Sequence, residues 1–224
     1  TRIDATGGMA MTQVDAVRTA GPSRFERGGV DKFDLRRAEL ADAALATLGE
    51  LGYARTSLRE IAQKTAFSHG VLHYYFRDKI ELITFCVRRY KAACVTRYDE
   101  VIASATTAPG LADAFADVLV TTMRDDFALH RLWYDLRSQS TFDQALRLTV
   151  AELDAQLEAM IWRIVERYAA LLGGRPVVTR LVAYATLDGL FENSLVRHIG
   201  GDASAGGELR TGAGWLLGTL VRDA

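Results

Sequence analysis

The amino-acid sequence predicts an all-α protein, and three observations carry that prediction. Apolar residues recur at three- and four-residue steps through most of the chain from Phe33 onward. Residues that favour helix N-termini precede several of these stretches, and glycine or proline follows them. No segment alternates apolar and polar residues with the period of two that a half-buried strand requires. The predicted architecture is short helices near the front and a bundle of long helices behind them.

The composition bounds the class of protein further. The chain has 224 residues, of which 49% are hydrophobic, enough for a substantial core. No apolar run reaches the roughly 18 residues of a membrane span, so we expect no membrane partner. Cys86 and Cys94 lie on one predicted helix with about 12 Å of rise between them, too far apart for a disulfide. The sequence therefore indicates a reduced, cytoplasmic protein.

Charge is unevenly distributed, although the formal net charge is only −1. Residues 1–91 hold 15 Lys/Arg and 11 Asp/Glu, whereas residues 92–224 hold 12 and 17. A mildly basic front half joined to an acidic back half suits one module that meets an anion and another that does not.

The first helix is predicted over residues 33–51. Residues 1–30 lack apolar periodicity and are interpreted as a flexible N-terminal tail. Leucines and alanines then recur at helical spacing until Gly52, which is expected to end the helix.

Two short helices and a long one are predicted next. The stretch 57–60, Ser-Leu-Arg-Glu, has the form of a capping box and opens a helix that ends near Lys64. Ser68 is expected to cap the next short helix, and Asp78 a long helix that reaches about Ser104.

The remaining helices follow a break that Pro109 and Gly110 predict. They are expected at residues 111–127, 129–138, 146–171, a segment with Pro176 in its first turn that ends near Ile199, and 209–221.

The two short helices form the pattern of a helix-turn-helix. The residues expected to be buried between them are Leu58, Ile61, Ala62, Leu72, Tyr75 and Phe76. At 100° per residue, His69, Gly70, His73 and Tyr74 then share an outward stripe that is free to enter a DNA major groove. A glycine inside a helix costs about 1 kcal/mol, so the missing side chain at position 70 suggests close approach of the backbone to DNA.

This region resembles the TetR family of transcriptional regulators. The residues that stand at the positions of the family's N-terminal pattern are Thr56, Ile61, Ala62, Thr65, Ala66, Phe67, Ser68, Gly70, Leu72, His73, Tyr75, Phe76, Lys79 and Leu82. Among them, Thr65 and Phe67 replace the usual alanine and valine. Ala66 stands where the turn usually has glycine, and His73 replaces the customary tyrosine.

The resemblance implies an N-terminal helix-turn-helix domain and a C-terminal bundle that binds an effector and supplies the dimer contact. We place the boundaries at 1–30 for the tail, 31–78 for the DNA-binding domain and 79–224 for the bundle. The residues expected to contact double-stranded DNA are Thr56, Ser57, Ser68, His69, Gly70, His73, Tyr74 and Lys79. Lys79 is expected to reach a phosphate together with the amides of its helix N-terminus.

The small-molecule effector site has no shared motif, so its candidates come from local composition. Trp133 and Arg137 stand four residues apart and are interpreted, with Tyr134, as an aromatic wall and a cation for one molecule. The alternative for these residues is core packing plus a surface salt bridge.

A homodimer is expected because a single helix-turn-helix reads only one half-site. The last two helices are the candidates for the contact, through Leu181, Ala185, Asp188, Phe191, Leu195, Ala213, Leu216, Leu217 and Leu220. The alternative is that these stripes cover only the core of one protomer.

Other classes of function find little support in the sequence. His69 and His73 have a spacing that can chelate a metal, but no third ligand is close in sequence, so no metal is expected. Gly212, Gly214 and Gly218 follow no strand and indicate helix packing rather than a nucleotide loop. We find no catalytic motif and expect neither an enzyme nor a cofactor. The sequence thus predicts an effector-released repressor; the alternatives are an architectural DNA-binding protein or an activator without effector-driven release.

Overall fold

The computed structural model describes the backbone of residues 24–222 and the side chains of residues 32–222. The chain divides into two compact units, the first ending at Arg36 and the second beginning at Arg37. The first unit holds the beginning of helix α1 (Arg24–Leu51), and every contact discussed below lies within the second. Residues 1–23 of the predicted tail lie outside the described residues. The remaining tail residues, 24–30, belong to α1.

The regular elements in the rest of the described chain are helices, apart from one pair of two-residue strands. This confirms the predicted all-α class. The elements are α2 (Leu58–Lys64), α3 (His69–Tyr75), α4 (Lys79–Ser104), α5 (Ala108–Asp125), α6 (Phe127–Gln139), α7 (Gln144–Leu172), β1 (Arg175–Pro176), α8 (Arg180–Ile199), α9 (Ala205–Thr219) and β2 (Val221–Arg222).

The three predicted helix caps are confirmed. In each, a side-chain oxygen accepts a hydrogen bond from the backbone N–H three residues later: Ser57 from Glu60, Ser68 from Val71, and Asp78 from Glu81. These bonds satisfy amides that the helices themselves leave unpaired, and they fix where α2, α3 and α4 begin.

Two helix starts differ from the prediction. Helix α1 begins at Arg24 rather than near Phe33, because the prediction relied on an apolar periodicity that residues 24–32 lack. Helix α5 begins at Ala108, where the Thr107 hydroxyl accepts from the Gly110 N–H, so the proline at position 109 lies in the first turn. A proline there loses no intrahelical hydrogen bond, and the predicted break at Pro109 is therefore wrong.

The C-terminal part also departs from expectation. Pro176 belongs to β1, which pairs antiparallel with β2 so that Pro176 lies opposite Val221. Helix α8 instead starts at Arg180, after Thr179 as its cap, and α9 ends at Thr219. Strands of two residues are too short to leave an alternating pattern in the sequence, so this pair gave no signal.

The hydrophobic core of the second unit extends from Leu40 to Val221. Helix α2 packs on α3, and α4 packs on α7. Helices α8 and α9 pack on each other and on α5, and α8 also packs on α7. Cys86 and Cys94 are both buried and unbridged, as expected. Among the described helices, none is both long and apolar enough to cross a membrane.

Candidate nucleic-acid interface and internal cavity

Helix α3 presents the stripe that its spacing predicts. It has seven residues, and its buried Leu72 anchors it to the core. The four residues of the outward stripe, His69, Gly70, His73 and Tyr74, are all exposed, and Tyr74 is 74% exposed. The protein thus displays aromatic and imidazole groups on one accessible helix face.

The fold itself does not require a glycine at position 70. A Cβ at this position would find only the Ser68 hydroxyl, at 4.0 Å, and the backbone does not adopt a positive φ there. The rings of His69 and His73 pack edge to face with centroids 4.4 Å apart. In the described part of the chain, no three His, Cys, Asp or Glu side chains are grouped to hold a metal.

The hydroxyls predicted to contact DNA fall into two groups. Thr56 is buried, and its hydroxyl donates to the Gly52 carbonyl at 2.6 Å, so its predicted role at the DNA surface is corrected to closing the end of α1. Ser57 and Ser68 are exposed and use only an acceptor lone pair for their caps. Each serine O–H therefore remains able to donate to a phosphate.

Lys79 is already engaged within the protein. Its ammonium donates to the Tyr53 carbonyl at 2.9 Å and lies 4.1 Å from the centroid of the Tyr53 ring. Partial burial lowers the Lys79 pKa. The Asp78 carboxylate accepts from the backbone N–H groups of Ile80 and Glu81 at the start of α4, so these two amides are already paired within the protein.

The turn between α2 and α3 needs no left-handed residue. No non-glycine residue of the described chain has a positive φ, so Ala66 fits the position where the resemblance expects glycine. Two cations at the start of the helix-turn-helix, Arg55 before α2 and Arg59 in its first turn, are exposed and form no ion pair with the described residues. They add positive charge to this part of the protein.

Helix α6 forms hydrogen bonds with the end of α1 and with the loop that follows it. The Tyr53 N–H donates to the Asp135 carboxylate at 2.7 Å. Gly52 turns the chain with a φ of 77°, and a Cβ there would lie 3.1 Å from the same carboxylate. The Arg131 guanidinium donates to the carbonyls of Gly49 and Glu50 at 2.5 and 3.0 Å.

The opposite side of α6 lines an internal cavity. The walls of this cavity come from five helices, α4 to α8. The lining residues are Lys91, Cys94, Tyr98, Leu119, Thr122, His130, Trp133, Tyr134, Leu157, Met160, Ile161, Tyr184, Leu187, Asp188 and Phe191. A cavity lined mostly by apolar side chains, with a few polar groups among them, has the features of a small-molecule site.

Most polar groups of the cavity are satisfied by protein partners. Tyr134 donates to Asp188 at 3.0 Å, and the His130 Nε2 lies 3.1 Å from the Tyr90 hydroxyl. Two groups lack such partners. The Trp133 indole N–H is buried without an acceptor, and the Lys91 ammonium forms no hydrogen bond or ion pair with the described residues.

Lys91 is the unusual charge of this cavity. The residue is 3% exposed, and its ammonium lies 4.7 Å from the centroid of the Trp133 ring. Burial lowers the Lys91 pKa to about 8, although Cys94, Asp188 and Asp154 oppose that shift. Burial and then the Lys91 charge lower the His130 pKa to about 2, so this imidazole is neutral at pH 7.

Only two of the three predicted effector residues line the cavity. Trp133 and Tyr134 line the cavity, whereas Arg137 does not; it lies on a neighbouring open groove. Its guanidinium is held by the carboxylates of Asp188 and Asp154. The prediction of Arg137 as a cation for the ligand is therefore corrected. Among the described residues that line the cavity, the cation without an ion-pair partner is Lys91, which the sequence did not indicate.

The predicted dimer residues are mostly core residues. Phe191, Leu195, Ala213, Leu217 and Leu220 are buried within the protomer, and Asp188 is bound to Arg137. Leu181 and Ala185 are exposed, and Leu216 is half-buried. The prediction selected the inward faces of α8 and α9, because apolar periodicity does not distinguish a core face from an interface.

The outward faces of the same helices carry a different apolar set. Leu181, Ala185, Gly189, Val196 and Ile199 are exposed along one stripe of α8. Trp215 on α9 is 67% exposed. Large apolar side chains left exposed on adjacent helices are typical of a protein–protein contact.

The fold and the exposed stripe define a helix-turn-helix protein with an internal cavity in its helical bundle. Residues 40–84 match the family described as "Bacterial regulatory proteins, tetR family". A TetR transcription regulator from Haloarcula marismortui has a structure that aligns with a TM-score of 0.69 and 17% identity, over 84% of this chain and all of that one. These findings confirm the resemblance of the helix-turn-helix segment to the tetR family and of the whole fold to regulators of that family.

Other known proteins are similar over different extents. The HTH-type transcriptional regulator BetI of Burkholderia mallei is 30% identical over 118 residues, which cover 51% of this chain and 59% of BetI. The chain spans 28% to 59% of the length of the curated relatives it matches. A transcriptional regulator from Saccharomonospora viridis in complex with choline aligns with a TM-score of 0.69 and 14% identity, over 85% of this chain and all of that one.

Proposed function

We propose that this protein is a dimeric transcriptional regulator that binds a double-stranded DNA operator through α3 and is released by a small-molecule effector. The observation that carries the proposal is the exposed stripe of His69, Gly70, His73 and Tyr74 on a capped helix whose other side is anchored by Leu72. A helix held in this way can insert into the major groove without rearranging the core.

The groups of the stripe suit contacts to base edges. Imidazole and phenol groups can donate and accept hydrogen bonds, and Gly70 lets the backbone of α3 approach the DNA closely. Around the stripe, the Ser57 and Ser68 hydroxyls and the Arg55 and Arg59 guanidinium groups are available to phosphates. Such phosphate contacts orient the helix, while the stripe reads sequence.

A second copy of the chain completes the operator contact. One short recognition helix makes too few base contacts to select a single genomic site, so two copies related by a two-fold axis are needed. We assign the contact to the outward faces of α8 and α9, through Leu181, Ala185, Val196, Ile199 and Trp215. This assignment replaces the largely buried set that apolar periodicity predicts.

Effector control is supported by the two faces of α6. One face lines the cavity with His130, Trp133 and Tyr134, and the other holds the helix-turn-helix through Arg131 and Asp135. A molecule that fits the cavity better when α6 is displaced would also displace the DNA-binding elements. The structure of the Saccharomonospora viridis regulator in complex with choline supports small-molecule binding by this fold.

The test begins with selection of binding sequences from a pool of random DNA duplexes. We expect a two-fold symmetric sequence with half-sites about one helical turn apart. Gly70→Leu should abolish binding to it because the new side chain stands between α3 and the groove, while the matched change Gly207→Leu on exposed α9 surface should not. Selection of no sequence, or full binding by Gly70→Leu, contradicts DNA recognition by α3.

A further inference from the structure

Most polar groups of the internal cavity have hydrogen-bond partners within the protein, but two do not. The hydroxyls of Tyr134 and Tyr184 donate to carboxylates at 3.0 and 2.6 Å, and Thr122 donates to the Leu119 carbonyl at 3.2 Å. The His130 imidazole is paired with Tyr90. The groups that remain are both donors, the Lys91 ammonium and the Trp133 indole N–H.

These two donors belong to side chains in contact. The Lys91 ammonium is 4.7 Å from the centroid of the Trp133 ring, so one small ligand beside this ring can approach both groups. A buried ammonium without a counter-ion and a buried N–H without an acceptor both cost free energy in the empty protein. A ligand that supplies an anionic acceptor at this point removes both costs at once.

The rest of the wall is apolar. Leu119, Leu157, Met160, Ile161, Leu187 and Phe191 surround the remaining space. Asp188 lines the cavity, but it holds Arg137 and accepts from Tyr134, and Asp154 holds Arg137 and accepts from Tyr184. Neither carboxylate forms an ion pair with Lys91 within the described chain. The chemistry of the cavity is thus a cationic, hydrogen-bond-donating end and an apolar body.

We propose that the cavity binds a small apolar molecule with a carboxylate group, and that Lys91 and Trp133 hold that carboxylate. This inference rests on the proposed function in taking the cavity as the effector site. It excludes a quaternary ammonium ligand at this position, because the cation would face the Lys91 ammonium in a water-poor space.

The test measures binding to the full-length protein by isothermal titration calorimetry without DNA. The probes are octanoate and naphthalene-2-carboxylate, their neutral amides, and hexyltrimethylammonium, which matches octanoate in size. At least one carboxylate should bind more tightly than its amide by about tenfold or more, the range of a charged hydrogen bond. Hexyltrimethylammonium should not bind.

Variants assign the preference to the two donors. Lys91→Met should abolish the preference for carboxylate over amide, and Trp133→Phe should weaken it about threefold to tenfold while keeping the ring. The control Arg163→Met removes an exposed cation from α7 and should leave the preference unchanged. Failure of both carboxylates to bind, equal binding of the amides, tighter binding of the ammonium probe, or a preference that survives Lys91→Met would overturn the proposal.

DNA release is measured separately with the same probes. A carboxylate that binds through Lys91 but leaves the operator complex intact supports this inference and contradicts effector release as the function of the cavity. The two proposals can therefore fail independently.

Discussion

The backbone N–H of Tyr53 donates a 2.7 Å hydrogen bond to the carboxylate of Asp135, a residue 82 positions later in the chain. Tyr53 also accepts from the Lys79 ammonium through its carbonyl at 2.9 Å. One residue between α1 and α2 thus ties the helix-turn-helix to both α6 and the start of α4. Since α6 also lines the cavity, Tyr53 links a helix of the cavity wall to the loop that precedes α2.

Replacement of Asp135 should loosen this connection. Asp135→Ala removes a hydrogen bond to a charged acceptor, and we expect the free energy of unfolding to fall by about 1.5–3 kcal/mol. Hydrogen exchange at the Tyr53 amide should accelerate. The control Asp113→Ala, which removes an exposed ion pair with Arg210, should change stability by less than about 1 kcal/mol. Equal stability of the two variants in chemical denaturation would contradict the anchoring role of Asp135.

Lys79 is expected to act on DNA as well as on Tyr53. Its ammonium has three donors, and the Tyr53 carbonyl uses one of them. Lys79→Ala should therefore lower affinity for operator and random DNA alike and reduce the salt dependence of binding by about one unit of slope. Fluorescence anisotropy over a series of salt concentrations measures this slope. An unchanged slope would mean that Lys79 serves only to position Tyr53.

The dimer contact should be sensitive to charge on the outward faces of α8 and α9. Trp215→Glu and Val196→Glu each place a carboxylate on the assigned face, and we expect monomers that have lost operator binding. Leu148→Glu is the matched control, because Leu148 is 77% exposed on α7, away from that face. Analytical ultracentrifugation decides the matter: dimeric Trp215→Glu and Val196→Glu proteins would place the contact elsewhere.

The outcome for individual residues shows what the sequence could predict. Capping residues such as Ser57, Ser68 and Asp78 were identified because their effect is local, and the α3 stripe was identified because Leu72 sets its orientation. Phe191 and Arg137 were misassigned because their partners lie on other helices.

The sequence also could not predict which single polar groups are buried. Lys91 reads as an ordinary lysine of a long helix, and only the packing of α4 against its neighbours makes it a buried, unpaired charge. The same packing leaves the Trp133 N–H without an acceptor. Apolar periodicity finds the faces that pack, but it does not tell which polar group is enclosed with them.

The buried charge of Lys91 should make stability depend on pH. Its pKa falls from 10.5 in the unfolded chain to about 8 in the folded one. Between these values the unfolded state binds more protons, so this group's destabilising effect is fully present below about pH 8 and is lost as the pH rises toward 10.5. We expect Lys91→Met to be more stable than the parent protein by up to about 3 kcal/mol at pH 7.

Denaturant unfolding at pH 7 and pH 10 measures this difference for the pair of proteins. The comparison between the two proteins cancels the titration of the tyrosines they share. A stability difference that is the same at both pH values would contradict a lowered Lys91 pKa.

The central claim, that the exposed stripe of α3 reads DNA, is tested most directly by operator affinity in a set of matched aromatic variants. His73→Ala and Tyr74→Ala remove side chains of the stripe. Phe142→Ala removes an aromatic ring that is 85% exposed in the turn between α6 and α7. All three side chains are exposed, so differences in folding should be small, and circular dichroism checks this.

Fluorescence anisotropy on the selected operator gives the deciding numbers. We predict that His73→Ala and Tyr74→Ala each weaken operator binding by about 1–3 kcal/mol, with a smaller loss on random DNA, and that Phe142→Ala binds like the parent protein. Unchanged operator affinity in both His73→Ala and Tyr74→Ala would contradict the assignment of α3 as the recognition helix.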